Sequence, residues 1–185
     1  MTSLDRLITK KSKKKESTAP VLTVNDAVVK IIEAQLHLQG DTVEKGDGES
    51  FVVEKPHIRC LLELIDAPKR KAGDIGTQWY ESFYYPETKK GSVEYENRPG
   101  TKIGELTTAR YGEGWEDDEN IVLDPDDLPE FTFYCNLEPK TKFGSTEVIG
   151  TKVDHNSIEA VPPEEDEQAG EPEVPEPDFK NIPKE

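Results

Sequence analysis

The chain is short of cysteine, aromatic residues and long apolar runs, and each shortage closes off a class of protein. Its two cysteines, Cys60 and Cys135, are too far apart for a CxxC pair and supply no disulfide framework. The start, MTSLDRLITKKSKKK, has charge where a secretory h-region would be apolar, so a reducing cytoplasm is expected. No stretch approaches the roughly 20 apolar residues that cross a bilayer as a helix. His37, His57 and His155 fall in separate segments. His57-x-x-Cys60 is ligand-like in spacing, but on a strand those side chains point to opposite faces, so no metal site is expected. The sequence has no GxGxxG, GxxxxGK[ST], GxSxG or HExxH. The carboxylates between Glu116 and Glu130 are packed as in a solvated loop rather than as an acid/base pair. No catalytic residue and no cofactor is therefore expected.

What is present is charge, unevenly distributed. Of the 185 residues, 33% are hydrophobic and 34% charged, which suits a modest core with unstructured flanks. The net charge is -16, yet residues 1–112 balance 18 Lys+Arg against 17 Asp+Glu. Residues 113–130 carry nine acids and no base, and 162–185 nine acids and two lysines. Loop and tail hold all the net charge, leaving a nearly neutral body that could accept an anionic ligand.

Residues 1–20 read as a basic arm with Lys10, Lys11, Lys13, Lys14 and Lys15, either solubilising or phosphate-contacting. From Thr23 to Gly40, Val28, Ile31, Ile32 and Leu36 recur at helical spacing, which predicts a helix. DTVEKGDGES is a turn-rich connector. HIRCLLELIDA alternates as a strand, with Ile58, Cys60 and Leu62 on one face. KRKAGDIG is a basic loop, TQWYESFYY a second strand ended by Pro86, and a short third strand is expected around Val93 and Tyr95. A short helix begins near Thr101 and is broken by Gly112 and Gly114. The acidic loop 113–130 follows, ordered in part by Ile121, Val122 and Leu123. FTFYCNLEP and a closing segment through Ile158 are strands, with a turn at Phe143-Gly144. PPEEDEQAGEPEVPEPDFKNIPKE is too polar to build a core. The order predicts a mainly β domain over 21–161 with one or two short helices, an OB-like, five-stranded, partly open barrel, with a β-sandwich as competitor.

The densest chemical signal is the aromatic strand and the cations around it. By strand parity Trp79, Glu81, Phe83 and Tyr85 share one face, and Gln78, Tyr80, Ser82 and Tyr84 the other, more polar one. The first set reads as core. Tyr80 and Tyr84 face outward, either as base-stacking rings or as cover for the sheet edge. Lys69, Arg70 and Lys71 precede the strand; Lys89, Lys90, Arg98 and Lys102 follow it. Exposed rings flanked by cations are what a sequence-tolerant single-strand binder needs. The candidate DNA-binding residues are Lys69, Arg70, Lys71, Tyr80, Tyr84, Lys89, Lys90 and Arg98.

In element order and spacing, the chain resembles phage-encoded OB-fold single-stranded DNA-binding proteins. The resemblance lies in PHIRCLLELIDA, the loop KRKAGDIG leading to WYESFYY, TKIGELTTARYG, and the linker with two strands from Leu123 to Val161. It covers about residues 56–161 plus the tail. It implies a non-catalytic role in DNA replication or recombination in a host cytoplasm, with single-stranded DNA as ligand. It also implies an acidic tail that recruits replication or recombination partners, here through Asp178, Phe179, Ile182 and Pro183. The chain departs from the pattern in ending Lys184-Glu185 and in carrying Pro129 before the strand. The alternative is an acidic protein–protein adaptor or DNA mimic built on the loop and tail. Homo-oligomerisation, DNA against RNA preference and site size are left open by the sequence.

Overall fold

The stretch expected as an N-terminal helix is a strand. A computed structural model describes residues 20–45, 47–68 and 74–162, and in it β1 runs over Val24–His37. Val24, Val28, Val29, Ile31 and Ile32 are stiff at χ1, which favours a pleated surface over a helical turn. Burial alternates accordingly, with Ala27, Val29 and Ile31 in the core. A register shift between Ile31 and Glu33 marks a bulge, which breaks the period and gave the segment its helical spacing. β1 sits at the centre of the sheet and is hydrogen-bonded along both edges.

The connector expected as turns contains a hairpin, β2 (Thr42–Glu44) and β3 (Ser50–Val52). Next come β4 (His57–Asp66), with Ile58, Cys60, Leu62 and Leu64 fully buried, and β5 (Gln78–Tyr84). The third short strand reduces to a single bridge between Glu87 and Tyr95. Helix α1 spans Lys102–Tyr111 and starts where the sequence suggests: the Thr101 hydroxyl accepts the Gly104 N–H at 3.2 Å. Gly112 ends it at φ +91, a conformation that favours glycine. In the acidic loop Leu123 is buried, Ile121 half-buried and Val122 exposed, and Trp115 and Leu128 complete the anchorage. β6 (Thr132–Thr141) and β7 (Val148–Ala160) close the order.

The result is mainly β with one helix. Five antiparallel strands lie in the order β5-β4-β1-β6-β7. The edge strands β5 and β7 come into contact, but no ladder joins them among the described residues, so the barrel is not closed. Glu81 spans this gap. Its Oε1 accepts a hydrogen bond from Lys102 Nζ at 2.5 Å, and its Oε2 accepts the Val153 N–H at 2.9 Å. One buried carboxylate thereby ties β5 to α1 and β7. Helix α1 also fixes the turn before it: a Cβ on Gly104 would stand 1.9 Å from the Arg98 carbonyl oxygen, and Asn97 donates to the Thr107 hydroxyl at 2.7 Å. The basic arm, the basic loop at Lys69, Arg70 and Lys71, and the acidic tail from 163 lie outside the described residues.

Candidate nucleic-acid interface

Strand parity divides β5 as the sequence suggests. Trp79, Glu81 and Phe83 are buried and Tyr85 is partly buried against the core, whereas Tyr80 and Tyr84 are 53% and 51% exposed. The outward residues continue across the sheet in rows fixed by register. Tyr80 lies beside Leu61 and then Glu33; Ser82 beside Arg59 and then Gln35; Tyr84 beside His57 and then His37.

Each tyrosine has its own cationic surroundings. The Arg59 guanidinium sits over the Tyr80 ring, 4.1 Å from its centroid. Such contacts hold an exposed ring in place while leaving its other face free. Tyr84 packs against His57 at a tilt, with centroids 4.7 Å apart, and stands between two depressions. One, of 630 Å³, is lined by Lys55, Lys90 and Arg98 together with Tyr85, Pro86 and Glu87. The other, of 460 Å³, is lined by Phe51, Val52, Val53, Glu54 and His57, and shares Lys55 and Tyr84 with the first. Lys90 and Arg98 thus lie on one side of the Tyr84 ring, Phe51, Val52 and Val53 with Glu54 on the other, and Lys55 borders both.

Lys55 is paired with Glu87 at 3.1 Å, an interaction that raises the lysine above its usual range. Glu87 is held below the ordinary carboxylate range, first by the Gly91 N–H and then by Lys55. Both thiols are core groups: burial pushes Cys60 and Cys135 up to about 12, which makes them inert as nucleophiles.

Of the residues singled out from sequence, Tyr80, Tyr84, Lys90 and Arg98 fall on or beside this face, and Lys90 and Arg98 are exposed. Lys89 is exposed but lines neither depression. Lys69, Arg70 and Lys71, like Asp178, Phe179, Ile182 and Pro183, lie outside the described residues. Lys102, counted with the flanking cations, is drawn inward to Glu81 instead. Three contributors escaped the sequence reading: Lys55, Arg59 and Phe51. The signal for Arg59 was available, since alternation in PHIRCLLEL puts it opposite Ile58 and Cys60. No protein-family model, curated protein or solved structure matches the chain.

Proposed function

We propose that the outer face of β1, β4 and β5 binds single-stranded DNA without catalysis, in replication or recombination. The observation that carries this reading is the pair of half-exposed tyrosines on one strand face, each with cations at its side. Tyr80 and Tyr84 are about 13 Å apart along the strand, far enough to take separate bases. Lys55, Arg59, Lys90 and Arg98 would meet phosphates, as would Lys69, Arg70 and Lys71, which lie outside the described residues. The strand order also supports it: among the five strands of the sheet β4 and β5 are second and third in chain order, the positions that form a common oligonucleotide surface in such partly open barrels.

The test is anisotropy of a labelled oligodeoxythymidine at two salt concentrations. Trp79 and Trp115 are both buried, so their own emission is a poor reporter. Affinity is expected to fall steeply with salt, because phosphate contacts release counterions. Tyr80→Ala and Tyr84→Ala are each expected to weaken binding by about 1–3 kcal/mol, roughly 5- to 150-fold. Absence of binding at low salt, or a flat salt response, would overturn the reading.

A second reading, an acidic surface for a basic partner, draws on the anchored loop. Trp115, Leu123 and Leu128 pin it to the body, so its nine acids lie on a fixed scaffold. Neutralising those acids by Asn and Gln separates the two readings. Oligonucleotide binding should persist or strengthen under the first and be irrelevant to function under the second.

A further inference from the structure

One row of this face differs from the rest. His37 on β1, His57 on β4 and Tyr84 on β5 are direct register partners. Their rings follow one another at centroid distances of 5.1 Å and 4.7 Å. The row runs from inside to outside: His37 is 5% exposed, His57 7% and Tyr84 51%. His57 Nδ1 lies 3.0 Å from the Lys55 carbonyl, which only accepts, so this nitrogen carries the proton. His37 Nε2 is buried and has no hydrogen-bond partner among the described residues. Native structures pair almost all such atoms. An orphan nitrogen on a titratable ring, two rings behind a proposed stacking residue, needs a reason.

We propose that His37, packed against His57, is a proton-linked element of the strand-binding face, taking up a proton when a phosphate chain lies over Tyr84 and Arg59. The inference rests on the strand-binding reading and adds its regulation by pH. The charged and titratable groups around the pair are Arg59 on β4, Tyr84 on β5, Asp41 in the turn after β1, Lys55 beside His57, and Glu54, which lines the same depression as His57 and Tyr84. Lys55 is itself engaged with Glu87, and Asp41 accepts the Leu38 N–H at 2.7 Å. In the free protein, burial first, then His57 and Arg59, hold His37 below the ordinary histidine range of 6.5; Asp41 alone pulls upward. The ring is therefore neutral at neutral pH.

A bound polyanion changes these terms in one direction. Phosphates offset the positive charge of Arg59 and Lys55 and add negative charge above the row. Both effects favour the imidazolium, so His37 titrates at higher pH in the complex than in the free protein. Between those two values the complex holds more protons than its separated parts. By linkage, affinity then rises as pH falls through that window and is flat above it. One linked proton limits the gain to about tenfold per pH unit. DNA phosphodiesters do not titrate there, so the change belongs to the protein.

The experiment measures binding of the labelled oligodeoxythymidine to the full chain at about pH 7.5 and about pH 5.5, at one salt concentration. Wild type should bind roughly three- to tenfold more tightly at the lower pH. His37→Gln, checked by thermal melting, should lose that gain, and His155→Gln on β7 should keep it. Should His37→Gln fail to fold, ring proton resonances of the wild type supply the same answer: His37 should titrate at higher pH with the oligonucleotide than without. Binding that does not change with pH, an undiminished gain in His37→Gln, or an unmoved His37 titration overturns the inference and leaves the strand-binding reading intact. No binding at either pH at low salt overturns both.

Discussion

The two faces of β5 carry the same strand geometry and nearly opposite chemistry. Trp79, Glu81 and Phe83 face inward, where Phe83 is fully buried and Glu81 is tied to Lys102 and Val153. Gln78, Tyr80, Ser82 and Tyr84 face outward, with large rings left half in water. The inner face holds a carboxylate that core packing alone would not select, and the outer face holds rings that solubility alone would not. Each exception marks a task. The inner acid bridges a sheet that its backbone leaves open, and the outer rings are the ones we propose for stacking. The lysines divide in the same way: Lys102 serves the inner face, while Lys90 remains exposed beside the outer one.

The largest expected effect tests whether the inner face is core and nothing more. Phe83→Ala removes a fully buried ring from the central cluster and should cost about 3–5 kcal/mol of stability by chemical denaturation. Tyr84→Ala, one residue along and outward, should change stability by well under 1 kcal/mol. Equal losses for the two would erase the distinction between faces.

Next in size is the bridge. Lys102→Met leaves Glu81 buried and facing an apolar neighbour, with only the Val153 N–H as partner. Removing one member of a buried pair generally costs about 3–5 kcal/mol; Lys102 keeps nearly a quarter of its side chain in water, which lowers the expectation to about 2 kcal/mol. Hydrogen exchange should quicken first at the Val153 amide. Glu81→Gln keeps an acceptor for that amide and should be milder than Lys102→Met, since it removes the buried charge itself. The reverse order would show that the carboxylate's charge-assisted hydrogen bond to β7, rather than its pairing with Lys102, is what joins the sheet edges.

The division of β5 was readable in the sequence because a half-buried strand obeys period two and WYESFYY does so without a break. Helix α1 was readable because Thr101 and Gly112 are specific end signals. β1 was not, and the reason is positional. A bulge between Ile31 and Glu33 breaks its period, so the apolar residues mimic helical spacing, and only the β-branched content argues otherwise. The candidate face was legible in the placement of its rings and less so in the placement of its cations. Lys90 and Arg98 were found by proximity in sequence to the aromatic strand, whereas Arg59 and Lys55 reach the tyrosines from the neighbouring strand β4 and the segment before it. Register supplies that closeness, and a single sequence does not state register. The fate of Lys102 was hidden for the same reason, because its partner Glu81 is 21 positions away on another element.

The smallest expected effect separates the two kinds of lysine directly. Lys90 is exposed and lines the depression beside Tyr84 with Lys55 and Arg98. If it meets a phosphate, Lys90→Met should lower the slope of log affinity against log salt by about 0.7, the share of one contact to a single strand. Folding should be untouched, because an exposed lysine with no ion pair among the described residues contributes little to stability. Lys102→Met, for all its larger effect on stability, should leave the salt slope unchanged while the protein remains folded, since its charge is already matched by Glu81. Each variant therefore moves one readout, the salt slope or the melting curve, and leaves the other in place. A Lys102→Met slope that falls as much as that of Lys90→Met would mean that the cation near Phe83 also reaches the ligand, and that the gap between β5 and β7 belongs to the binding surface.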